Sequence, residues 1–191
     1  TDSSETSPDF DNRAVRGQVF NANGTKSGSE FIVNSTFPDS QTQPSVAVLN
    51  SGKFVVTWTS GIVGDSGATN IIRRLFNADG TPFTSETTVN TQTVGNQEKS
   101  SVHALSTGGF AVVWSDREES PATGNQTKTF IRFYSPGGTA LSTPALANST
   151  AAGDPQDVDI AELTDGRIVV VYADYETATS DGSGAAVRAR I

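Results

Sequence analysis

Cysteine is absent from the 191-residue chain, which excludes disulfide staples, thiol nucleophiles and cysteine-ligated zinc together. Histidine occurs once, at His103. A Ser-His-Asp or Cys-His arrangement therefore has a single imidazole to draw on, and no residue pattern marks an orienting partner for it. His103 stands where two sister segments carry Ala47 and Ala161, so it reads as a strand histidine accommodated by its neighbours. Methionine is absent too, initiator included, and the expectation is a chain that begins after processing or is an excised segment. No run approaches the roughly 18 apolar residues of a membrane span, and no signal-peptide core is present. Positive charge is scarce: 13 Lys and Arg stand against 21 Asp and Glu, a net charge of -8. Such a surface repels phosphate backbones, so no nucleic-acid partner is expected.

What is plentiful is glycine (18 residues), serine and threonine, which suit short strands joined by many turns. The length fits one domain. The stretch "SVAVLNSGKFVVTWTS" (45–60) returns as "SVHALSTGGFAVVWSD" (101–116) and as "DIAELTDGRIVVVYAD" (159–174). An aromatic at Phe20, Phe76 and Tyr134 precedes a second one at Trp58, Trp114 and Tyr172, and the spacing is 38 residues each time (58 - 20, 114 - 76, 172 - 134). The stretch from the second aromatic to the next first one varies, 18 residues and then 20 (76 - 58, 134 - 114). One variable loop per copy, always in the same place, marks a repeat architecture with a single tolerant face.

Each copy reads as four strands. The first ends "GQVF", "RRLF" or "IRFY" and turns on Gly24, Gly80 or Gly138; the second is short, "FIVN", "TTVN" or "ALAN". The third and fourth form the quoted hairpin, turning on Gly52, Gly108 or Gly166. The fourth strand is continuously apolar, so both of its faces should be covered, and stacked copies would cover them. The expected fold class is all-β: three four-stranded repeats of about 57 residues, β-propeller-like blades, with a β-trefoil, a β-prism or stacked sheets as alternatives. We expect a single repeat domain over 1–191, with repeats at about 14–70, 71–129 and 130–186 and the start of a fourth at 187–191.

The motifs "GQVFNANGT", "SEFIVN", "QTQPSVAVLNSGKFVVTW" and "SDGSGAAVRARI" resemble tandem repeats of large secreted bacterial proteins of the repeats-in-toxin, calcium-binding adhesin type. The resemblance covers about residues 14 to 191 and implies an extracellular or cell-surface, non-catalytic module. The glycine-aspartate nonapeptides of that family do not occur. Its DGSG loop is intact only at 181–184, partial at 64–67, and replaced in the second copy by "ESPATGNQTK".

Candidate chemistry lies in the acids. Asp116 and Asp174 follow the fourth strand where the first copy has Ser60, and "DREE" and "DYE" extend them into the variable loops. With Asp65 and Asp181 they form the expected weak calcium site, hard oxygens suiting that ion; a glycosidase would need only two carboxylates. Calcium is the one cofactor expected. Asn34, Asn90 and Asn148 read as strand-ending residues that bond their own backbone. Sequons occur at Asn23, Asn34, Asn125 and Asn148. Trp58, Trp114 and Tyr172 read as packing between copies. Arg16, Arg73, Arg74, Arg132, Arg188 and Arg190 recur in the first strands and read as surface residues that deter stray edge pairing.

The functional expectation is a non-enzymatic extracellular structural or adhesive module, self-assembling and weakly calcium-binding. The alternative is a carbohydrate-binding propeller or a sialidase-like glycoside hydrolase. "AVRARI" restarts the first strand at the C-terminal end. The expected partners are therefore other copies of the chain, pairing unfilled terminal strands in a dimer of about six blades or a head-to-tail filament. Surface glycans are a second class of partner.

Overall fold

The computed structural model describes residues 14–35, 40–62, 65–118, 126–148, 155–175 and 186–191. Asp181 and the sequon at Asn125 lie outside them. The described residues contain strands and turns but no helix, hence none that could cross a membrane. Strands β1 (Arg16–Phe20) and β2 (Lys26–Ile32) form a separate antiparallel pair. The first full repeat is β3 (Gln41–Val48), β4 (Phe54–Ile62), β5 (Asp65–Phe76) and β6 (Thr87–Thr88), antiparallel in chain order. The second is β7 (Asn96–Ala104), β8 (Phe110–Glu118), β9 (Gln126–Tyr134) and β10 (Ala145–Leu146), paired the same way. The third contributes β11 (Pro155–Glu162), β12 (Ile168–Asp174) and β13 (Ala186–Arg190). One parallel bridge, Thr69 to Asn96, ties the sheets of the first two repeats at their edges.

Local chemistry accounts for each hairpin. At the tip, the Leu49 amide donates to the Lys53 carbonyl and the Gly52 amide to the Leu49 carbonyl, and Leu105 with Gly108 and Leu163 with Gly166 repeat the pattern. The turn needs a left-handed residue, and Gly52, Gly108 and Gly166 supply φ of 79°, 92° and 84°. The apolar central strands are covered on both faces as their composition demands. Val55 packs in one cluster with Leu49 of its own hairpin and with Val102, Val112 and Trp114 of the next repeat, while Val56 points the other way, against Val15 and Val33. In the second repeat, Ala111 and Val113 meet Ile160, Val170 and Tyr172 of the third. Trp58, Trp114 and Tyr172 are buried in these contacts between successive repeats. Stacked ring pairs mark the same corner twice, Phe54 on Phe76 at 5.2 Å and Phe110 on Tyr134 at 4.9 Å.

Candidate functional site

The polar chemistry of the chain gathers at the start of β3, β7 and β11, the end of each repeat where the variable loops attach. Three layers of side chains build it.

The first layer is an asparagine clamp. The Oδ1 atoms of Asn34, Asn90 and Asn148 accept the amides of Val15, Ile71 and Thr129 at 2.9, 2.9 and 3.0 Å. Asn90 also bonds locally, to the Gln92 carbonyl, as expected; beyond that, each asparagine reaches back 19 residues to the segment of the first strand. Asn34 and Asn148 are buried, so those two sequons are closed in the folded chain, whereas Asn23 sits on an exposed turn and bonds Thr25.

The second layer differs between repeats. In the first, the Trp58 indole N–H donates to Gln41 Oε1 at 2.8 Å. In the second, Gln97 gives its amide Nε2 to Asp116 Oδ1 at 3.2 Å, and its Oε1 accepts from Asn90 at 3.1 Å. The Trp114 indole N–H is left without a protein partner, beside a cavity of about 30 Å³ lined by Asn90, Gln92, Trp114, Asp116 and Phe130 among others. That is room for one water. In the third repeat Pro155 replaces the glutamine, and Asp174 binds Arg188 at 2.6 Å.

The third layer runs along the row of β3, β7 and β11. Gln43, Lys99 and Asp157 hold φ of 53°, 55° and 50°. Each sits at the same register shift, between Thr42 and Ser45, Glu98 and Ser101, and Gln156 and Asp159. A β-bulge in the same place three times re-aims the side chain at that point. Gln43 Oε1 accepts the Lys99 amide and the Thr59 hydroxyl, both at 2.9 Å. Lys99 Nζ donates to Gln156 Oε1 at 2.7 Å and lies 3.2 Å from Asp157. Ser101 donates to Asp159 at 2.8 Å. The result is a partly exposed ladder of amide, ammonium and carboxylate across three repeats. Non-glycine residues in this region of backbone space cost about 1–3 kcal/mol each.

The expected calcium ligands are not brought together by what is described. Asp116 lies inside β8 and Asp174 ends β12; both are buried and bonded within their own repeats. This corrects their expected place just past the fourth strand. Asp65 opens β5, but its side chain, like all of Asp181, is outside the description. Among the described residues no group of three or more His, Cys, Asp or Glu could hold a metal ion. His103 accepts the Glu162 amide at 3.3 Å, a contact between repeats.

The arginines correct another expectation. Arg73 is buried, with its guanidinium 4.5 Å from the Tyr134 ring centre and a bond to the Gly138 carbonyl. Burial lowers its pKa and raises that of Tyr134. Arg74 and Arg132 hold equivalent carbonyls of the preceding unit, Val33 at 3.0 Å and Val89 at 2.7 Å, and anchor to their own turns at Thr84 and Ser142. They fasten one repeat to the last rather than guard an edge. Arg16 pairs with Glu30.

No protein-family model and no curated protein matches the chain. Several solved structures are similar to it, three of them as follows. One is a protein of unknown function from Dyadobacter fermentans DSM 18053 (TM-score 0.53, 16% identity, covering 78% of this chain and 50% of that one). The second is an endo-arabinase from Bacteroides thetaiotaomicron VPI-5482 (0.53, 15%, 86% and 60%). The third is an alpha-L-arabinofuranosidase from Lactobacillus brevis (0.50, 13%, 90% and 65%). The chain thus spans between half and about two thirds of their lengths. The fold is all-β, in several sheets, and β-propeller-like. The expectation that the chain is not an enzyme is corrected by the same finding. Two of these structures are glycoside-cleaving enzymes by name, so neither this fold nor the shortage of His and Cys sets the chain apart from enzymes.

Proposed function

We propose that the chain is a carbohydrate-engaging module of a secreted propeller-type protein, and that the ladder of Gln43, Lys99, Gln156, Asp157 and Asp159 meets the sugar. The carrying observation is the bulge at Gln43, Lys99 and Asp157, which turns a polar side chain out of the strand row at the same height in every repeat. Sugar hydroxyls donate and accept at once, and a row that alternates amide, ammonium and carboxylate answers both halves of that chemistry. The acidic balance of the chain favours a neutral ligand over an anionic one. Arabinose-containing glycans are the first class to test, since an endo-arabinase and an alpha-L-arabinofuranosidase support this reading at the level of fold.

A glycan array followed by calorimetric titration with arabino-oligosaccharides tests it. Saturable binding is expected, weakened about tenfold by Asp157→Asn, an exposed site where the change leaves packing alone. An array without a single saturable ligand overturns the proposal. A hydrolase panel run beside it, including an aryl α-L-arabinofuranoside, separates binding alone from turnover.

A further inference from the structure

Val46, Val102 and Ile160 are the same position in successive repeats, yet they are 62%, 7% and 6% exposed. Val102 is covered by the β3–β4 hairpin and its repeat, and Ile160 by the β7–β8 hairpin and its repeat. Over Val46 and its exposed neighbour Val48 lies no described strand. What does stand on that side is the pair β1–β2, and it is already set as an outer pair. Asn34 clamps the Val15 amide as Asn90 clamps Ile71, and Val15 and Val33 pack on Val56, Trp58 and Phe76. The edge of β5 that faces β4, and that of β9 that faces β8, has its counterpart in β1, where no described strand is paired. Between that edge and Val46 is a mainly apolar groove of about 430 Å³ lined by Val15, Val33, Val46, Val48, Phe54 and Val56. Its walls are those that hold a hairpin of this repeat at two other places in the molecule.

A matching hairpin with an open face is present. Leu49 and Val55 are buried where the second repeat covers them; their counterparts in the β11–β12 hairpin, Leu163 at the tip and Val169 on β12, are half-buried, as is Val171, and Ala161 is exposed. The other face of β11–β12 is committed to the second repeat through Ile160, Val170 and Tyr172 and through the bonds of Asp159 to Ser101 and Glu162 to Ser106. That hairpin therefore cannot leave for the groove of its own chain, but its open face is free to enter the groove of another. Strand β13 now covers the outer edge of β12 over five residue pairs. It is poorly packed, with Val187 83% and Ile191 67% exposed, and it holds the position on β12 that corresponds to β1.

We propose that the groove beside Val46 receives the β11–β12 hairpin of a second copy of this chain, with β1 replacing β13 on the incoming β12. Copies then join head to tail by a third use of the contact that already joins the repeats inside one chain. The interface is heterologous: it closes into a ring or propagates. Strand replacement adds main-chain bonds to the apolar contact.

Light scattering on the chain from micromolar to near-millimolar concentration tests the inference. Mass above the monomer is expected, rising with concentration. Val46→Glu blocks the groove and Ala161→Glu the open hairpin face, both at exposed positions where folding is spared; each alone weakens association by about tenfold or more. Mixed together, the two variants retain one intact contact and form a one-to-one pair. Ala189→Pro, which loosens β13 from β12, tightens association. A wild-type monomer throughout overturns the proposal, as does association indifferent to Val46→Glu, or variants that fail to pair when mixed.

Discussion

The first and second repeats share a backbone pattern and differ at Ser60 and Asp116, and that difference reaches a tryptophan two positions away. Where Ser60 ends the hairpin, Gln41 turns its carbonyl to Trp58. Where Asp116 stands instead, Gln97 turns its amide to the carboxylate and leaves the Trp114 N–H facing a cavity. A carboxylate accepts and never donates when ionised, so it claims the donor half of the amide. With its amide nitrogen on Asp116, Gln97 gives its carbonyl to Asn90 and not to the indole. The repeats thus keep their apolar contacts while their polar ends diverge beneath the variable loops.

Exchanging the indoles breaks this comparison most forcefully. Trp58→Ala and Trp114→Ala both empty a buried site and should each cost about 3–5 kcal/mol in chemical denaturation. Trp58→Phe and Trp114→Phe should separate. The first removes the bond to Gln41 Oε1 and costs about 0.5–1.5 kcal/mol more than the second, which removes a donor that has no protein partner. Equal losses for the two phenylalanine variants would show that the indole bond carries no weight.

A smaller effect comes from making the second repeat resemble the first. Asp116→Ser removes that acceptor, and Gln97 should rotate to accept from Trp114 in exchange for its bond from Asn90. Loss of the Asp116 bond costs about 0.5–1.5 kcal/mol, part of it recovered by the new indole bond. Slower hydrogen exchange at the Trp114 indole is the observable, and unchanged exchange would refute the account.

The smallest effect concerns the tips. Between the first and second repeats the tip contact is neutral, Asn50 Nδ2 to the Ser106 carbonyl. Between the second and third it is ionic, Glu162 accepting the Ser106 amide at 2.6 Å and hydroxyl at 2.7 Å. The hydroxyl bond first, then the amide, holds the Glu162 pKa below the ordinary glutamate value. A depressed folded pKa means that the contact stabilises above the ordinary carboxylate range and fades as pH falls through the folded value. Acid should therefore lower the protection of the Ser106 amide, measured against its intrinsic exchange rate at each pH, more than that of the Leu49 amide, and Glu162→Gln should abolish the difference. Equal responses at both tips would refute the assignment.

Much of this architecture was legible without coordinates. The 38-residue spacing, the tip glycines and the apolar fourth strands are local or periodic signals, and each specifies its element without knowledge of what lies opposite. The candidate site was far less legible. Asp116 and Asp174 were seen, but their burial was not, because it depends on the partners Gln97 and Arg188. The ladder of Gln43, Lys99 and Asp157 went unnoticed: the three residue types share no chemistry, and only the register shift makes them one position.

By itself the sequence determined the all-β class, the repeat length, the hairpin turns and the two-sided burial of the central strands, since these follow from backbone preference and apolar periodicity over a few neighbouring residues. Tertiary structure alone decided that Arg73 is buried, that Arg74 and Arg132 fasten carbonyls 41 and 43 residues away, and that Asn34, Asn90 and Asn148 clamp another strand. It also decided that Val46 lies exposed where Val102 is covered. The physical reason is the same throughout. A side chain's hydrogen-bond partner and its exclusion from water are properties of whatever packs against it, and here that is another repeat, distant in sequence and equivalent in pattern, which no local signal can name.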